Sequence, residues 1–136
     1  MKILDGKLLA KSLNDELSKK ILSYNNEYGR KPHLLVILVG DNPASQVYVK
    51  NKEKKAAEVG IKSTVIRLSK NVSENSLLKV IHEANANISV DSILVQLPLP
   101  NHINSNKVID SISIEKDVDG FNSKNIGLLA LGRPKV

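Results

Sequence analysis

The chain has 136 residues, 41% of them hydrophobic, which is enough for one domain with a real core over residues 1–136. It contains no cysteine, so disulfides and thiolate metal sites are excluded, and a reducing, cytoplasmic setting is expected. Its 20 basic and 14 acidic residues give a net charge of +6, which permits an anionic partner. With three tyrosines, one phenylalanine and no tryptophan, stacking platforms for nucleic acid are scarce, and an anionic small molecule is the better expectation.

The opening MKILDGKLLAKSLNDEL is broken by Asp5, Lys7 and Lys11 and does not read as a signal peptide. No segment approaches the ~18 apolar residues of a membrane span, so a soluble protein is expected. A helix is predicted from Gly6 to about Glu27, with Leu9, Leu13, Leu17, Ile21 and Leu22 inward and Gly29 and Pro32 ending it. His33 to Gly40 is a continuous apolar run ending in glycine, the pattern of a buried parallel strand. Asp41 to Gly60 reads as one helix, with Asp41 or Asn42 as cap, Pro43 at its first position and Gly60 at its end. Ile61 to Leu68 is a second strand. Ser73 caps a helix to about Asn87, with Leu77, Leu78, Val80, Ile81 and Ala84 available for burial. Asp91 to Leu97 is a third strand, stopped by Pro98 and Pro100, and a short helix follows from about Asn104 to Ser113. The remainder is loop-like, then faintly helical around Asn125 to Leu131. This αβαβαβα order predicts an α/β fold: a small, mostly parallel sheet with helices on both faces, in three layers.

Lys52 is the residue that does not fit its place. At 100° per residue, Ser45, Tyr48, Val49, Lys52, Ala56 and Val59 fall on one inward stripe. A buried ammonium is costly unless paired, and burial favours the neutral amine used in proton transfer. Tyr48 lies one turn before it. The bland alternative is a solvated lysine run, since four of the residues from Lys50 to Lys55 are lysines, or a side chain that snorkels to water. In parallel sheets ligands bind beyond the carboxyl ends of the strands, where this helix begins and where Gln96 interrupts ILVQLPLP. The Gln96 carbonyl could accept from the lysine ammonium, or the amide could simply bond a loop backbone. In KDVDG, Asp117 and Asp119 precede a glycine. Asp-Gly usually marks a turn, whereas the functional reading is a carboxylate that accepts bidentate N–H bonds from a ligand. His33, His82 and His102 are scattered, which gives a metal site or a histidine triad little support, and no glycine-rich phosphate loop is present.

VGDNPASQVYVKNKEKKAAEVGI, ILVQLPLP and EKDVDGFN, in this order and spacing, resemble the amino-terminal folate-binding domain of the bifunctional methylenetetrahydrofolate dehydrogenase/methenyltetrahydrofolate cyclohydrolase (FolD) family. The resemblance runs from the first helix to the end of the sequence. It implies a role in one-carbon metabolism and purine biosynthesis: NADP-linked oxidation of 5,10-methylenetetrahydrofolate, then hydrolysis of the methenyl product to 10-formyltetrahydrofolate. It also implies residue roles. Lys52, in the Tyr-x-x-x-Lys motif with Tyr48, is the acid/base group; Tyr48 packs on the folate; Gln96 tunes the lysine; Asp119 holds the pterin; Ser45 lines the site. A folate substrate, with or without a polyglutamate tail, and a homodimer of the full-length enzyme follow from the same resemblance.

In the family, a Rossmann domain that binds NADP follows the Gly-Arg-Pro region matched by Gly132 to Pro134. These residues are therefore expected to hold no nicotinamide cofactor, and dehydrogenase activity is not expected of them alone. The alternative to an enzyme is a non-catalytic module that binds folate or a partner without turnover; a nucleic-acid-binding domain is a distant third.

Overall fold

The computed structural model describes residues 5–135. Chain order is α1 (Gly6–Tyr28), β1 (His33–Val39), α2 (Pro43–Val59), β2 (Lys62–Leu68), α3 (Glu74–Ala86), β3 (Ser92–Val95), α4 (Ser105–Asp110) and α5 (Ser123–Ala130), with a 3₁₀ turn at Ile114–Lys116. Side-chain caps start the helices where short polar residues stand. Asp5 accepts from Lys7 and Leu8 N–H, Asn42 from Ser45, Ser73 from Ser76, and Asn104 from Lys107. Of the two candidate caps for α2, Asn42 is the one used, with Pro43 at the first helical position.

The three strands are all parallel in the order β2-β1-β3, with β1 central. Alternation along β1 sends its residues to two cores. Leu35, Ile37 and Val39 meet Leu77, Ile81 and Ala84 of α3 and Val108 of α4, all buried. Val36 and Leu38 meet Val49 of α2 and Leu94 of β3 on the other face. Ile37, Leu77, Ile81 and Val108 are completely removed from solvent, each such side chain contributing about 1.5–3 kcal/mol of transfer free energy. Helices thus cover both faces, as the sequence pattern implies. Because β2 and β3 flank β1 on opposite sides, the chain reverses its winding at β1. The crevice between the ends of β1 and β3 is a topological switch point, where open α/β sheets bind ligands.

Two expectations are corrected. Leu9, Leu13, Leu17 and Leu22 of α1 are exposed, and only Ile21 of the expected inner face is buried. The helix packs chiefly against α2, and Ile21 sits beside Gly60 at the end of α2. Tyr48 is likewise 61% exposed. It is the outlying member of the α2 stripe, about 60° from Ser45 on the helical wheel, so its ring leaves the contact while Ser45, Val49, Ala56 and Val59 are buried. In α3, Leu78 and Val80 are only partly buried.

Candidate active site

Asn42 and Pro43 launch α2 from the carboxyl end of β1, and Ser45, 2% exposed, seats its first turn. This phase leaves Lys52 half-buried on the side of α2 that faces the end of β3. Its Nζ donates to Gln96 Oε1 at 2.9 Å. Gln96 stands one residue past β3. Its backbone N–H donates to Ile37 O at 2.9 Å, and its Nε2 donates to Leu97 O at 2.7 Å. Both readings of Gln96 therefore hold together. The bond to the loop carbonyl orients the amide, and that orientation turns Oε1 toward the ammonium. No acidic side chain forms an ion pair with Lys52 among the described residues, so its partner is a neutral acceptor.

The KDVDG segment folds back over the same edge. Asp117 forms a parallel bridge with Ile93 of β3, and Gly120 N–H closes a turn onto Asp117 O at 3.2 Å. Gly120 has φ +66°, a conformation that favours glycine, so the turn reading of Asp-Gly is also correct. Asp117 is 1% exposed and accepts at Oδ2 from Asn122 N–H at 2.8 Å and from Asn125 Nδ2 at 2.9 Å. Asp119 instead points outward and is exposed. Partial desolvation raises its carboxyl above the ordinary aspartate range; the Lys52 charge opposes the shift and the Asp117 charge adds to it. Solvent screens this effect, but the Lys52 contribution shows that the two side chains share one electrostatic neighbourhood.

The structure thus brings together Lys52, Gln96 and Asp119, with Ser45 buried at the helix start and Tyr48 open one turn before the lysine. Sequence reasoning missed Asn122 and Asn125, two buried polar residues at the start of α5. The only signal for them was an Asn at the cap position of a faintly helical stretch.

The histidines take other roles. His33 is buried, with Nδ1 on Ser89 O and Nε2 on Thr64 Oγ1, while His82 and His102 are exposed. Among the described residues no group of His, Cys, Asp or Glu has the arrangement of a metal site, and no helix is long and apolar enough to cross a membrane. A groove of about 640 Å³ lies on another flank of α2, lined by Pro43, Gln46, Val47, Lys50, Glu53 and Arg67. It contains none of the converging residues, so the chemistry and this concavity are separate.

Residues 4–119 match the family model described as the tetrahydrofolate dehydrogenase/cyclohydrolase catalytic domain. The chain is 52% identical over 132 residues to the bifunctional protein FolD of Streptococcus uberis, covering 97% of this chain and 46% of that protein. It is 55% identical over 130 residues to FolD of a Wolbachia strain from Drosophila simulans, covering 96% of this chain and 44% of that protein. The chain therefore spans about half the length of these curated relatives. Among solved structures, the Campylobacter jejuni FolD enzyme superposes with TM-score 0.95 at 48% identity, over 99% of this chain and 48% of that one. A Trypanosoma brucei methylenetetrahydrofolate dehydrogenase-cyclohydrolase, solved with NADP and an inhibitor, superposes at 0.89 with 35% identity, over 94% of this chain and 43% of that one. On the family model, the sequence identity and the fold together, this chain belongs to the tetrahydrofolate dehydrogenase/cyclohydrolase family and carries its catalytic domain.

Proposed function

We propose that this chain binds tetrahydrofolate substrates at the β1–β3 switch point and hydrolyses 5,10-methenyltetrahydrofolate to 10-formyltetrahydrofolate, with Lys52 as the acid/base. The observation that carries the reading is the Lys52–Gln96 hydrogen bond of 2.9 Å at the carboxyl edge of the sheet. The partner is a neutral amide, so no anion among the described residues stands in direct contact with the ammonium where the substrate would enter. The methenyl substrate is a cationic amidinium. Its charge, and the water it displaces, both favour the neutral amine.

In the proposed step, water attacks the amidinium carbon and Lys52 takes the proton that the water loses. The carbon–N5 bond then breaks as that proton passes from Lys52 to N5, and the hydroxyl proton leaves to solvent as the formyl C=O forms. The formyl group stays on N10. Gln96, anchored by its own backbone and by Leu97 O, holds the amine in place. Asp119 accepts hydrogen bonds from the pterin N–H groups, Tyr48 offers an exposed ring for the folate to pack on, and Ser45 lines the helix start.

The companion reaction of the family, oxidation of the methylene substrate, takes NADP. The βα turns present do not fit a dinucleotide. The turn after β1 has a single glycine, Gly40, and places Asp41 beside the start of α2, where a pyrophosphate would meet a like charge. No step through NADP is assigned to these residues. The polyglutamate tail of folates, a full-length homodimer, a place in purine supply and a cytoplasmic location belong to the same proposal.

The test is to follow the absorbance of methenyltetrahydrofolate with this chain against buffer, with tetrahydrofolate binding measured in parallel. Acceleration over buffer supports the hydrolase. Binding without acceleration leaves a folate-binding module, and absence of binding in a folded protein refutes the site.

A further inference from the structure

Lys116 and Asp117 precede Asp119 in one short loop and take no part in the chemistry proposed above, yet both are fully engaged. Lys116 Nζ donates to Ala84 O at 3.1 Å, Asn85 O at 2.8 Å and Asn87 O at 2.8 Å. All three ammonium donors are thereby spent on the carbonyls that end α3, where a cation also suits the helix dipole. Asp117 binds in the opposite direction, to the start of α5 through Asn122 N–H and Asn125 Nδ2. Asn125 Nδ2 also donates to Ile114 O at 3.1 Å, while Asn125 Oδ1 is buried without a hydrogen-bond partner. The amide orientation is dictated by chemistry, because turning it over would set its oxygen against two acceptors. A buried amide that leaves its own acceptor unpaired in order to serve a carboxylate and a carbonyl is costly for stability alone.

We infer that Lys116, Asp117 and Asn125 are positioning residues: they clamp the loop from α3 and α5 so that Asp119 is held toward its ligand. The inference rests on the folate-binding reading of Asp119. The geometry explains how an exposed turn can present one carboxylate in a fixed direction. Residues 116 and 117 are bound on both sides, Gly120 closes the turn onto Asp117 O, and Asp119 is left outside the clamp. A loop free to move would have to be ordered by the ligand, and that ordering would weaken binding.

The experiment uses the full chain, with tetrahydrofolate itself as the probe. Binding is measured by calorimetry, and amide hydrogen exchange is read at Val118 to Phe121. Asn125→Ala should weaken tetrahydrofolate binding by about tenfold, the equivalent of one or two lost hydrogen bonds, and should speed exchange at those amides. Combined with Asp119→Ala, it should cost no further affinity, because the clamp acts only through that carboxylate. Asp117→Asn keeps a carbonyl oxygen for both donors and should restore binding to within about threefold of wild type. Lys116→Met loosens the loop from the α3 side and should repeat the result, which keeps the test open if one variant does not fold. Lower thermal stability with unchanged affinity and exchange, while Asp119→Ala still weakens binding, overturns the clamp and leaves the site intact. Failure of Asp119→Ala to change affinity refutes the folate role of Asp119, and the inference falls with it.

Discussion

Lys52→Met separates chemistry from stability, because the structure lets both magnitudes be worked out. Methionine keeps most of the apolar stem that packs along α2. What is lost is one charge-assisted hydrogen bond to Gln96 Oε1, about 1.5–3 kcal/mol in a favourable setting. The loss is offset by removing a half-buried ammonium that has to be desolvated. Gln96 keeps its bond to Leu97 O, so the amide stays oriented. The net change in unfolding free energy should stay within about 1 kcal/mol. Turnover should respond on another scale. Losing the acid/base group removes about 10²–10⁴ in rate, equivalent to about 3–5 kcal/mol of barrier. The assay is loss of methenyltetrahydrofolate absorbance at saturating substrate, with denaturant melts on the same preparations. Gln96→Glu provides the converse perturbation: an anion beside Lys52 should hold it charged and lower turnover without destabilising the fold. Hydrolysis by a folded Lys52→Met protein within about threefold of wild type would refute the assignment.

Acidification should weaken tetrahydrofolate binding, because the proposed pterin contact uses an ionised Asp119 and desolvation raises that carboxyl above its ordinary value. A binding profile of Asp119→Asn that keeps the same acid limb would refute this. The stability sign is the reverse: a group raised on folding contributes below its unfolded value and loses that contribution as pH rises through the folded one. Asp119→Asn should therefore be neutral to slightly stabilising at neutral pH, as thermal melts would show. Asp91 is lowered, chiefly by the Arg30 guanidinium and then by His33 N–H, so its contribution is present above about pH 4 and lost as pH falls further. Melts of Asp91→Ala should show a lower midpoint at neutral pH and a flatter decline into acid; parallel acid limbs would contradict it. Ile81→Ala, at a site wholly removed from solvent, should cost about 2–5 kcal/mol in urea unfolding. Ile88→Ala is the control: Ile88 is 94% exposed, and a change beyond about 0.5 kcal/mol there would refute the link between burial and cost.

The order of helices and strands, the caps at Ser73 and Asn104, the glycine end of α2 and the inward phase of Lys52 were all legible in the sequence. Each depends on residues within a turn or two of one another, where backbone geometry and period leave few alternatives. The resemblance carried by the Tyr48–Lys52, Gln96 and Asp119 motifs named the family correctly. The pattern was silent where the answer lay in another segment. Leu9, Leu13, Leu17 and Leu22 spell an apolar stripe whether or not anything in these residues covers it, so the sequence could not tell that these four leucines stay exposed. Tyr48 shares a stripe with Val49, and the rotation of about 100° between neighbouring residues separates an exposed ring from a buried valine.

The tertiary structure alone decided that β1 lies between β2 and β3, which creates the crevice, and that Lys52 meets Gln96 across 44 residues of chain. It also decided that Lys116 and Asp117 are anchors while Asp119 is free, since their partners stand on α3 and α5. Local sequence sets which side of an element a residue occupies. What lies opposite that side is fixed only when the strands choose their neighbours, and that choice is made by the free energy of the whole core.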